Sequence, residues 1–221
     1  MRLKHRPSHA PQRTAAAVAE VGIVRQKMKP GPIPLSEEDR RLVGRWAASC
    51  AGRVLTLFEA KAPSDTRPRE AIEGIRVFAR GGKRTARLRS LALAALAAAR
   101  EVDEPAAAAA RAAGVAASSA YMHALACPHQ AKHALGPAVY AARARELSAA
   151  GDPRVGDQEI RRAIRHASAA VREIVRRFPV QVPGRTRLSA LYHQLDTGLR
   201  AEGQQSFGKK KPAGVRRLSM S

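Results

Sequence analysis

Four side chains with metal-binding or acid–base chemistry crowd into residues 123–133. His123 and Cys127 are four apart, and so are His129 and His133. On a helix, residues four apart share a face, and imidazole and thiolate ligands at such spacing can hold zinc. Pro128 separates the two pairs, and no carboxylate lies nearby in sequence. We therefore read the cluster as two helix ends meeting, with histidines at a polar rim. Metal binding by His123, His129 and His133 stays as the open alternative, and no metal or cofactor is assigned. The patterns G-x-G-x-x-G, G-x-S-x-G and H-E-x-x-H are missing. Gly81-Gly82-Lys83-Arg84-Thr85 has the end of a phosphate-binding loop, but the loop's first glycine would fall on Val77. With no organised nucleophile, base or metal, we expect a binding protein, not an enzyme, and name no catalytic residue.

Arginine supplies the next chemistry. Arg161, Arg162, Arg165, Arg172, Arg176 and Arg177 cluster, and positions 161, 165, 172 and 176 form one stripe at helical spacing. Such a stripe is either a wet face or a track for phosphates, whose neutralisation gives salt-dependent affinity. Lys209, Lys210 and Lys211 add a basic run near the end of the chain. Aromatic residues interleaved for base stacking are missing, so binding through these groups would have little sequence preference. Glu59, Glu70 and Glu73 read as ion-pair partners for the arginines. Trp46 sits on an apolar stripe and reads as core.

These residues must be positioned by helices. Alanine carries much of the 45% hydrophobic content and aromatics are only 4%; alanine has the highest helix propensity and lets helices pack closely. We expect an all-α, compact bundle of six to seven helices spanning residues 36–202. The first opens at Ser36, a capping residue followed by Glu37, Glu38 and Asp39, and its apolar stripe runs about six turns to Phe58. The second starts at Pro68 and stops at Gly81-Gly82. A third covers 84–101, a fourth runs from Asp103 to about Ala126, and a fifth from Pro128 to Ala150. A sixth, capped by Asp157, carries Ile160, Ile164, Ala167, Val171, Ile174 and Phe178, and a last one carries Leu188 to Leu199.

Net charge is +22, and half of it falls outside the expected bundle. Residues 1–35, with five prolines, and 203–221 read as disordered basic tails. Such charge suits nucleic acid, an acidic surface or an acidic protein. Part of it reflects coding bias, since arginine outnumbers lysine 31 to 9 and asparagine is missing. Two distant cysteines fit a reducing cytoplasm, no apolar run is long enough for a membrane span, and Glu20 interrupts any secretory signal. A mitochondrial presequence stays compatible with the basic start.

The segments Cys50-Ala-Gly-Arg-Val-Leu-Thr-Leu-Phe-Glu59, Pro63-Ser-Asp-Thr-Arg-Pro-Arg-Glu-Ala-Ile-Glu73 and Arg76-Val-Phe-Ala-Arg-Gly81 resemble a bacterial family of immunity proteins, type five-like. Ala112-Ala-Gly114, His133–Ala141 and Val171–Val175 are similar as well, so the resemblance covers roughly residues 40–178. It implies a helical domain from a polymorphic toxin system, in which an immunity protein binds and blocks a cognate toxin. A shared binding surface would include Glu59, Arg67, Arg69, Glu70 and His133. The alternative is a basic protein that binds nucleic acid non-specifically through Arg161, Arg165, Arg172, Arg176 and Lys209–Lys211.

Overall fold

The structure, a computed structural model, describes residues 30–201. Of the tails expected at 1–35 and 203–221, residues 1–29 and the whole of the second, including Lys209, Lys210 and Lys211, lie outside the described residues. Among those described, the chain is all helical, with nine α-helices rather than six or seven: α1 Glu37–Gly52, α2 Leu55–Lys61, α3 Arg67–Ala79, α4 Ala86–Ala98, α5 Glu104–Ser118, α6 Pro128–Ser148, α7 Pro153–His166, α8 Ala169–Arg176 and α9 Arg187–Ala201. No helix among them is long and apolar enough to cross a membrane.

The extra helices come from breaks that the apolar spacing does not show. α1 starts as expected, with the Ser36 hydroxyl accepting from the Asp39 N–H and the Asp39 carboxylate accepting from the Ser36 N–H. It ends at Gly52: Arg53 caps it with a helical backbone while its side chain binds Glu159 on α7, and Val54 leaves helical geometry. The chain then restarts as α2, burying Leu55 and Phe58. The expected sixth helix is likewise two. Asp152, not Asp157, caps α7 by accepting from the Arg154 N–H, and Ser168 caps α8 by accepting from the Val171 N–H.

The expected fourth helix stops early. The Ser118 and Ser119 hydroxyls donate to the Val115 and Ala116 carbonyls, competing with the helical ladder. A single 3₁₀ turn, Ser119–Tyr121, follows, and the chain is extended before Pro128, as a residue preceding proline prefers. Residues 30–35 lie against this stretch. Ile33 donates its N–H to the Ala124 carbonyl, and Ile33 and Leu35 pack beside Val43, Met122 and Phe178.

α5 is the centre of the fold. Its alanines at 106–110, 112, 113, 116 and 117 are all buried, and their small size lets α3, α4 and α6 close around them. Phe58, Ile72, Ile75 and Phe78 fill the wider gaps, each contributing roughly 1.5–3 kcal/mol by burial. A second cluster joins α1 and α6 to α7, α8 and α9 through Leu135, Val139, Ile160, Leu191 and Leu195. Trp46 belongs to it and donates its indole N–H to the Ala163 carbonyl at 3.2 Å. Glu146, only 2% exposed, is held by Arg143 and Arg187.

Candidate partner-binding surface

Four of the five residues singled out for partner contact meet at one corner. Glu59 on α2 pairs with Arg69 on α3 at 2.5 Å. Arg67, at the start of α3, binds Asp65 and Glu101, each at 2.6 Å, and these hydrogen bonds raise its pKa while the Asp65 carboxyl is held below its usual value. Glu70 accepts from the Thr66 hydroxyl at 2.6 Å. The corner therefore uses much of its charge internally, and Glu70 also lines a cleft between α3 and α4.

His133 is elsewhere, on α6, with Nδ1 3.3 Å from the Ser118 hydroxyl and its ring edge-on to His129 at 5.0 Å. Burial, and then the nearby His129 and His123, depress its pKa. All three histidines line a cleft of about 340 Å³ with Arg89, Leu93 and Tyr121. Cys127 stands outside this lining and precedes the first turn of α6. Among the described residues no group of three or more His, Cys, Asp or Glu is placed to hold a metal, and the cluster is a histidine rim around a cleft.

α4 walls both clefts. The first, about 500 Å³, is lined on the α3 side by Glu70, Gly74 and Val77 and on the α4 side by Leu88 and Leu91. From Leu91 to Ala98, α4 is alanine and leucine on all sides, so packing one side on α5 leaves apolar groups outward. Leu93 is 62% exposed and Val77 50%. The rim is basic: from Gly74 to Arg100 there are seven Arg or Lys and no acid. Glu73, just before, is already bound to Arg76 and Arg80. Arg89 and Arg84 lie over the Tyr121 ring at 4.7 and 5.8 Å. Helical spacing alone did not single out this face. Its signals were a leucine at 93, off the stripe of 88, 91 and 95, and the acid-free run around it.

The arginine stripe fails as a continuous track. Arg161 and Arg165 are exposed on α7, but Arg172 on α8 is 8% exposed and donates to the Ala167 and Ile164 carbonyls. Arg176 donates to the Arg200 carbonyl and pairs with Glu173. The break between α7 and α8 redirects the second half of the stripe, Arg172 onto carbonyl groups at the end of α7 and Arg176 onto one near the end of α9.

The described residues thus form a helical domain whose α4 face is apolar with a basic rim. The family model described as "Imm-5 like putative immunity protein" matches residues 34–170. The chain belongs to this immunity-protein family, as the motifs from Cys50 to Gly81 led us to expect. No curated protein and no solved structure matches the chain.

Proposed function

We propose that this protein neutralises a cognate toxin by covering part of its surface, with no chemical step of its own. Membership of the immunity family carries the reading. The α4 face supports it, since Leu93 and Val77 offer apolar anchors between two clefts and the surrounding arginines favour an acidic partner. Glu70 and His133 border that face from opposite sides, while Glu59, Arg67 and Arg69 brace the neighbouring corner. We place the protein in the cytoplasm, where its two free cysteines, Cys50 and Cys127, would stay reduced.

The test is recovery of partners by the tagged full chain from its native lysate, with and without nuclease, beside the variant Leu93→Glu. The expected result is one stoichiometric protein that survives nuclease, is lost by the variant, and poisons cells unless the parent chain is present. Recovery dominated by nucleic acid and abolished by digestion would overturn the reading in favour of non-specific phosphate binding.

A further inference from the structure

On a different side chain cluster, Arg53 at the end of α1, Arg145 on α6 and Arg162 and Arg165 on α7 line a concave cleft of about 260 Å³. One acid, Glu159, shares it. Glu159 accepts from Arg53 Nε at 2.6 Å and from Nη2 at 3.0 Å, so it is occupied and holds that guanidinium in place. Arg145, Arg162 and Arg165 have no carboxylate partner among the described residues. The Nε of Arg162 is moreover buried without an acceptor, whereas buried polar groups are ordinarily satisfied. By contrast, Arg67 and Arg187 each have two carboxylates, and Arg200 binds Asp196 and three carbonyls.

We propose that this cleft binds the phosphate or diphosphate group of a small molecule. After Glu159 is counted, the lining keeps a charge of +3, which a single carboxylate would leave largely unneutralised. Guanidinium forks match phosphate oxygens two at a time. At about 260 Å³ the cleft is large enough to admit a group as small as a phosphate or diphosphate. The site differs from the stripe read in the sequence, since only Arg165 belongs to both. It shares no lining residue with the two clefts of the α4 face proposed for the toxin.

Titration calorimetry of the full chain at low ionic strength, with inorganic pyrophosphate and separately with ADP, tests this. One saturable site for pyrophosphate is expected. Arg162→Gln with Arg165→Gln should weaken it about tenfold or more, because two charge-assisted donors are lost. A control of equal charge, Arg100→Gln with Arg185→Gln, alters exposed positions outside the cleft and should stay within about twofold of the parent. Binding of ADP at the same site identifies a phosphate ester as ligand; binding of pyrophosphate alone identifies the free oxyanion. Absence of saturable pyrophosphate binding, or equal weakening in both double variants with unchanged urea midpoints, overturns the proposal.

Discussion

Gly114→Ala probes the packing that seats α4 on α5. In an exposed helix this change would stabilise by about 1 kcal/mol, because glycine has that much lower helix propensity than alanine. At 114 an added Cβ would lie 2.7 Å from Leu96 Cγ and 2.9 Å from the Ala92 carbonyl oxygen. The leucine can rotate away, but the carbonyl belongs to the α4 backbone, so the whole helix must shift. Overpacking costs about 1–3 kcal/mol, and a backbone clash puts this site near the upper end. The clash outweighs the propensity gain, leaving a net loss of about 2 kcal/mol. With a urea dependence of about 2 kcal/mol per molar, the unfolding midpoint should fall by about 1 M. Gly52→Ala is the control: its Cβ would meet only the flexible end of Arg76, at 3.1 Å. That midpoint should hold or rise by up to about 0.5 M. A Gly114→Ala midpoint equal to or above the parent's, at unchanged slope, would refute the reasoning.

Two further predictions concern single side chains. Burial and the neighbouring histidines hold His133 below its ordinary value of 6.5, so the unfolded chain takes up this proton first as pH falls. The resulting stability is full above about pH 6.5 and declines below it. His133→Gln should therefore lose less stability than the parent between about pH 7.5 and about pH 5.5; equal losses in the two urea series would contradict this. Arg172→Gln strands the Ala167 carbonyl and removes one of two donors from the Ile164 carbonyl, and should cost about 1.5–3 kcal/mol. Arg161→Gln, at an exposed position, should stay within about 0.5 kcal/mol. Similar urea midpoints for those two variants would mean that Arg172 is no more structural than its neighbours.

Features set by neighbours along the chain were legible. Helical character followed from alanine content, the start of α1 from Ser36 and Asp39, and the start of α3 and α6 from Pro68 and Pro128. The end of α3 followed from Gly81, whose φ of 108° suits glycine. The segments around Arg67 and Glu70 also pointed to the family, since they are short and continuous.

Features set across space were not. The apolar spacing from Ile160 to Phe178 passes unbroken through Ala167, although the residues up to Val171 pack in one cluster and Ile174 and Phe178 in another. The Arg53 side chain finds a carboxylate 106 positions away, and Arg172 turns inward because α7 ends beside it. From Leu91 on, α4 is all alanine and leucine, so that part has no intrinsic inside; packing on α5 decides that Ala92 is buried and Leu93 exposed. Residue types and caps act within about a turn of helix, which is enough to establish the elements and the family resemblance. Which arginine finds an acceptor, and which apolar face stays open for a partner, is decided by groups distant in sequence that the fold brings within a few ångströms.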